Sequence, residues 1–215
     1  MKKFKFYIDF EKEEKWLSEM AKQGWELSRK SFEYEFCKAI PNDAIIKIDY
    51  RSFKTNDDFE DYITLFRDSG WEHIAGTKSS GKQYFKKIDA SGDNDIFSDV
   101  SSKAARYKKL SNMWFSITIS YIPIFIALVT TKTIDISALL NPKLLYYTPG
   151  LWEKTGVYFW RAFFFETPFA IMRGFTWFFF PILIILYAVF AVKAERHYQK
   201  NKSGTVYYKK NISSI

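Results

Sequence analysis

Apolar positions recur along this chain with two different periods, and the periods divide it. Residues 15–27 read KWLSEMAKQGWEL and residues 61–74 read DYITLFRDSGWEHI. Aligning Gly24 on Gly70, an offset of 46, pairs Trp16 with Tyr62, Leu17 with Ile63, Met20 with Phe66, Trp25 with Trp71 and Glu26 with Glu72. Apolar residues at i, i+1 and i+4 give a helix one buried face. The Gly then supplies a left-handed C-cap, and the Trp after it begins a strand. Around each helix the period becomes two: Phe4, Phe6, Ile8 and Phe10; Phe32, Tyr34 and Phe36; Ala44, Ile46, Ile48 and Tyr50, each alternating with polar neighbours. Pro41, Asn42 and Asp43 make a turn, and residues 71–75 with 83–88 supply a final strand, or a hairpin broken at 79–82. The acidic groups Glu11, Glu13, Glu14 and Asp57, Asp58, Glu60, Asp61 open the two helices, where they favour the helix dipole. The order strand, helix, strand, strand, helix, strand predicts an α+β domain over residues 1–88 built from two βαβ repeats. Its expected form is ferredoxin-like, a four-stranded antiparallel sheet with both helices on one face. The expected repeat core is Trp16, Leu17, Met20, Gly24 and Trp25 with Tyr62, Ile63, Phe66, Gly70 and Trp71.

Beyond residue 88 the pattern changes. Residues 89–102, DASGDNDIFSDVSS, hold little that packs and mark a domain boundary, and the basic group Lys103, Arg106, Lys108 and Lys109 completes a linker over 89–112. Residues 113–131 then carry no charge, and at 1.5 Å per residue they span roughly 28 Å, a bilayer core. Residues 174–192 are a second such run, so 113–192 reads as an all-α two-helix transmembrane region, with Pro123 and Pro181 inside the spans. Basic residues precede the first span and follow the second, in the tail over 193–215, which places both termini in the cytoplasm. The loop 132–173 is then external. Within it residues 157–172, VYFWRAFFFETPFAIM, are interrupted by Arg161 and Glu166 and contain Pro168, which favours an interfacial aromatic segment over a third span. Arg161, Glu166 and Arg173 are the charges of interest there, with headgroup snorkelling favoured over an ion relay.

Composition sharpens this division. Phe, Tyr and Trp number 22, 14 and 7, an aromatic share of 20%. Residues 1–112 carry 21 Lys+Arg against 20 Asp+Glu, a net of +1, and residues 113–215 carry 11 against 4, a net of +7. The single Cys37 excludes an internal disulfide, and the first ten residues lack the apolar run of a secretory signal.

The W-L-x-x-M-A-x-x-G-W-x-L run, Trp16, Leu17, Met20, Ala21, Gly24, Trp25 and Leu27, followed by a tyrosine-rich strand and a hydrophobic C-terminal half, resembles the uncharacterised bacterial membrane proteins of domain-of-unknown-function family 2812. The resemblance covers essentially the whole chain and carries no activity to place on residues. It implies a PadR-like transcriptional repressor as a partner class.

Signals for chemistry are weak. Two His, His73 and His197, and one Cys do not make a metal site. Cys37 reads as a strand residue, His73 as a packed strand position, and residues 76–81, GTKSSG, as a hairpin turn without the order of a phosphate loop. The predicted outer sheet face, Lys3, Lys5, Glu33, Glu35, Lys47, Asp49 and Arg51, mixes charges and argues against nucleic acid. No cofactor is expected. The basic collars are accounted for by topology and anionic headgroups. The expected function is a membrane-anchored, non-enzymatic regulatory or sensor-like protein whose cytoplasmic domain binds a protein partner. The alternative is an accessory subunit of a transport or export complex, and a homo-oligomer or larger membrane assembly is open to either.

Overall fold

The computed structural model describes residues 1–89 and 93–212; part of the expected linker, 90–92, and the end of the tail, 213–215, lie outside the described residues. It is α+β, with two small antiparallel sheets and two long apolar helices. Two compact units are formed, one by the residues up to Met113 together with those from Phe190 onward, the other by Trp114–Val189.

In the first unit the elements are β1 (Lys2–Lys3), α1 (Phe10–Lys22), β2 (Trp25–Lys30), β3 (Tyr34–Lys38), β4 (Ile46–Tyr50), α2 (Asn56–Asp68), β5 (Trp71–Ala75) and β6 (Lys82–Lys87). Strands are ordered β1-β3-β2 in one sheet and β4-β6-β5 in the other. Six strands in two sheets thus stand where a single four-stranded sheet was expected. The duplicated unit is βαββ, because each glycine-capped helix feeds a complete hairpin. Gly24 and Gly70 have φ of +78° and +82°, a region where an L side chain is strained. Their N–H groups donate back to Ala21 and Arg67, and their carbonyls accept from Ala39 and Ile88, which ties the end of each hairpin to its helix. Both hairpins carry a bulge at the same place, between Leu27 and Arg29 and between His73 and Ala75.

The first predicted strand, residues 4–10, does not form. The Asp9 carboxylate accepts from the backbone N–H of Glu11 and Lys12, so α1 starts at Phe10. Only residues 1–3 pair with β3, Met1 exchanging two hydrogen bonds with Phe36, and Phe4 and Phe6 stay exposed. Phe32, expected in a strand, sits in the β2–β3 turn and is 88% exposed.

Helix α1 is the centre of the unit. It buries Phe10, Glu13, Glu14, Leu17, Met20 and Ala21, with Trp16 edge-on to Tyr34 and Phe36 of the first sheet. Helix α2 covers the second sheet, where Tyr62, Trp71 and Phe85 form a cluster with Ile63 and Phe66 against it. Ile96 packs on that cluster, so the segment before the next helix is not bare linker.

Helix α3 runs Val100–Thr130 and α5 runs Gly156–Ile212 through Pro168 and Pro181; a short α4, Ser137–Leu140, lies between them. Residues 157–172 therefore continue into the second apolar run as one helix. Both long helices are long and apolar enough to cross a membrane, and only 6% and 11% of their apolar windows are buried within the chain, unlike the core helix of a globule. In the second unit Ile134, Ala138, Leu145, Ala170 and Trp177 form a cluster with Phe125, Leu128 and Phe180, so the connecting segment packs back on the helices.

Candidate functional site

The first unit's chemistry is concentrated on the buried face of α1, where two consecutive carboxylates leave water. Glu13 is fully buried. Its Oε1 accepts from Tyr34 Oη at 2.5 Å and Tyr84 Oη at 2.7 Å, and its Oε2 from Lys82 Nζ at 2.5 Å. Lys82 also donates to the Tyr7 carbonyl at 2.9 Å. Burial, and then the charge of Glu13, push the Tyr34 and Tyr84 hydroxyls well above the usual tyrosine range, so both remain protonated donors. A carboxylate enclosed by three donors has its charge compensated, which is the condition for keeping it in a core.

Glu14, one residue on, closes a sheet edge. Strand β4 is one of the two edge strands of its sheet, and its Ile48 N–H donates to Glu14 Oε1 at 3.1 Å. The Ile48 carbonyl accepts from Arg106 Nη1 at 2.6 Å, and the same nitrogen donates to Glu14. An ion pair thus supplies the acceptor and donor that a neighbouring strand would supply, and blunts an edge open to pairing. Arg106 comes from the first turns of α3 and is 1% exposed. Its Nε and Nη2 have no hydrogen-bond partner among the described residues, but the guanidinium lies 4.9 Å, 5.1 Å and 5.4 Å from the rings of Phe10, Phe97 and Tyr107, which compensates part of that loss. Tyr107 packs on Phe10, stacks on His197 of α5 at 5.1 Å and donates to Asp9 at 3.1 Å. Lys108 pairs with Glu195 at 3.0 Å and Ser111 Oγ donates to the Ala191 carbonyl.

These contacts correct two expectations. Glu11 and Glu13 stand in the first turn of α1 as expected, but Glu13 and Glu14 are also core groups with named partners. Among the basic residues read as a headgroup collar, Arg106 and Lys108 are engaged within the unit, and Lys103 pairs with Asp95. The predicted outer-face residues also differ from expectation: Asp49 is buried and accepts from Tyr62 Oη at 2.8 Å, and Lys47 pairs with Glu14.

Of the repeat-core residues, Leu17, Met20, Tyr62 and Trp71 are buried, Trp16, Trp25, Ile63 and Phe66 are half-buried, and Gly24 and Gly70 hold the left-handed positions. His73 bonds Gln83 at 3.0 Å and meets Phe59 and Phe85 edge-on; burial lowers its pKa. Cys37 is exposed. Among the described residues no three His, Cys, Asp or Glu side chains are grouped to hold a metal ion.

In the second unit Glu166 and Arg173 come together, two turns apart on α5, at 2.6 Å. Glu166 also accepts from Tyr147 N–H and Thr148 Oγ1, and Arg173 donates to the Leu145 carbonyl and lies over the Tyr147 ring. The pair clips the connecting segment to the helix. Arg161 stands apart and exposed.

Sequence reasoning missed Tyr34, Tyr84, Lys82 and Arg106 as a set. The signal was present in α1, since Phe10, Glu13, Glu14 and Leu17 share one helical face and place two acids on the apolar stripe.

Comparison with known proteins gives one family. The model of a protein family of unknown function, DUF2812, matches residues 9–119, about half of the chain. No curated protein and no solved structure matches. The chain belongs to the DUF2812 family, and the matched segment runs from the cap of α1 through Arg106 into the first apolar run.

Proposed function

We propose that this protein is a membrane-anchored, non-enzymatic regulator with both termini in the cytoplasm. Its βαββ duplicate binds a cytoplasmic protein and responds to the helix that enters it. The observation that carries this reading is the burial of Arg106 on Glu14 and Ile48. Residues of the helix that becomes the first apolar run complete a sheet edge of the domain, so a rotation or shift of that helix changes whether β4 is closed or open. A released β4 edge is a site for strand addition by a partner. The saturated Glu13 supports a binding role over acid–base chemistry, because every donor around it is already committed. The family resemblance supports a PadR-like repressor as the partner class.

The accessory-subunit reading is favoured by a different observation. Phe164, Phe165, Phe169, Ile171 and Met172 on α5 are all 49% exposed or more, an apolar surface suited to a larger membrane protein. Gentle-detergent purification of the full chain from native membranes at native expression separates the two. A transcription factor or signalling protein whose yield changes on Arg106→Ala supports the regulator. A permease lost on Phe165→Ser, with no soluble protein captured, overturns it.

A further inference from the structure

A cavity of about 460 Å³ opens beside the Glu13 cluster, between the segment after β1 and the two hairpin turns. Its closed end is formed by Tyr34, Tyr84 and Lys82, and its walls by Phe4, Phe6 and Phe32, which are 73%, 56% and 88% exposed. Three phenylalanines bordering an opening are not needed by the core, and residues 4–6 left the sheet to place two of them there.

Lys5 and Lys30 also line it. Lys5 Nζ lies 4.5 Å from the Trp16 ring. Lys30 Nζ lies 4.3 Å from the Tyr34 ring and donates to the Ser31 and Phe32 carbonyls. Lys82 is paired with Glu13, whereas neither Lys5 nor Lys30 forms a close ion pair among the described residues, although the Glu13 charge reaches Lys30. Burial lowers the Lys30 pKa, so an anion beside it would offset a cost the fold already carries. Finally, the Phe6 ring is 5.1 Å from Phe190, in the last part of the apolar run of α5, just before Lys193 and Arg196. The mouth therefore lies where an apolar helix gives way to basic residues, the signature of a bilayer surface.

We propose that this cavity holds one anionic lipid of the adjoining leaflet, its phosphate between Lys5 and Lys30 and the start of an acyl chain against Phe4, Phe6 and Phe32. A free phosphate would satisfy the lysines but leave the phenylalanines in water, so the lipid is the better complement. The inference rests on the membrane-anchored reading above and adds the ligand: Lys30 sits over the Tyr34 ring, whose hydroxyl donates to Glu13, and Lys5 over the Trp16 ring that meets Tyr34 edge-on.

The test uses the full chain in nanodiscs of mixed phosphatidylglycerol and phosphatidylcholine, with lipids retained on gentle release counted by native mass spectrometry. The wild type is expected to keep one phosphatidylglycerol in preference to phosphatidylcholine. At about fivefold per lysine, Lys5→Gln with Lys30→Gln should weaken retention roughly twenty-five-fold. Phe32→Ser should weaken the long-chain lipid more than its dihexanoyl analogue. If the double variant melts early, Lys5→Gln alone, at an exposed position, carries the test with its fivefold loss. Equal retention of both lipids, equal retention by the variants, or displacement by inorganic phosphate alone overturns the proposal, as does a captured protein that shields Phe32. Partner capture is scored on the same preparations. Capture without lipid removes this site and leaves the regulator; lipid without capture leaves the site and removes the regulator.

Discussion

The two βαββ copies share a backbone frame and differ in what their helices bury. At an offset of 46 the helices Phe10–Lys22 and Asn56–Asp68, the caps Asp9 and Thr55, the left-handed glycines and the bulges coincide. Yet α1 buries six residues and α2 only Tyr62. Glu13 corresponds to the half-buried Phe59 and Glu14 to the exposed Glu60. Helix α1 serves the faces of both sheets and the start of α3, whereas α2 has one sheet to cover. The backbone was duplicated and the polar core was not, so the first copy is the one to which the long apolar helix α3 is fastened.

The largest effect should come from removing that fastening. Arg106→Ala takes the nearest cation from the buried Glu14, leaving it Lys47 at 3.6 Å, and removes the Arg106 donor from the Ile48 carbonyl; it is expected to cost about 3 kcal/mol, read from denaturant unfolding of the full chain in detergent. Truncating the aligned acid of the second copy, Glu60→Ala, should cost less than about 0.5 kcal/mol. Replacing both charges, Glu14→Leu with Arg106→Met, should recover the part due to the poorly compensated charge but not the part due to the Ile48 N–H and carbonyl, which lose both partners, about half of the loss. A double variant as unstable as Arg106→Ala would show that the ion pair is not the reason.

Alkaline pH tests the copies next. Tyr34 and Tyr84 donate to Glu13 in the first, and Tyr62 donates to Asp49 in the second, with all three hydroxyl pKa values raised by burial first and the carboxylate second. A raised folded pKa contributes stability that is present in full below the free tyrosine value near 10. That stability is lost as pH rises beyond it toward the folded values, at about 1.4 kcal/mol per pH unit for each group. Three together give about 4 kcal/mol per unit, so unfolding should set in above pH 10 with tyrosinate absorbance appearing in step. Absorbance from Tyr34 or Tyr84 near pH 10 with the fold intact would contradict their enclosure.

How far the sequence revealed all this follows the same division. The glycines, the helix faces and both apolar runs were legible because each is a local pattern of period 3.6 or of uncharged length. The first strand was misread because Phe4 and Phe6 alternate like strand residues while Asp9 captures the helix start. The polar core was hidden for a different reason. Glu13 meets Tyr84 and Lys82, and Glu14 meets Arg106, at separations of 71, 69 and 92 residues, and no local period reports contacts of that range. Arg106 was further masked by three lysines with which it reads as a collar.

The glycines give a smaller, graded contrast. A Cβ at Gly24 would sit 2.9 Å from the Ala39 carbonyl oxygen, a backbone atom, whereas at Gly70 it would meet the Asp89 side chain at 2.8 Å. The Asp89 Cβ stays in place when the side chain turns, so both sites need the backbone to shift; at Gly24 the Pro41 ring stands 3.3 Å away as a second obstacle, whereas the three nearest atoms at Gly70 all belong to the exposed Asp89. Gly24→Val is therefore expected to cost about 2 to 3 kcal/mol and Gly70→Val about 1 to 2. Equal melting shifts would mean that the hairpin end after β3 yields as readily as the one after β6.

The finest comparison lies at the two helix caps. Thr55 Oγ1 accepts from the Asp58 N–H at 3.1 Å and has no further hydrogen bond among the described residues. Asp9 Oδ1 accepts from Glu11 and Lys12 at 3.1 Å and 3.4 Å and also from Tyr107 Oη at 3.1 Å. Losing a cap costs about 1 kcal/mol, and stranding a buried hydroxyl adds about 1 more. Thr55→Ala should then cost about 1 kcal/mol and Asp9→Ala about 2. In the Tyr107→Phe background the excess of Asp9→Ala should vanish, because the hydroxyl that distinguishes the two caps is gone. If Asp9→Ala still costs twice Thr55→Ala there, the difference belongs to α1 itself and the hydroxyl of α3 contributes nothing to where the first helix begins.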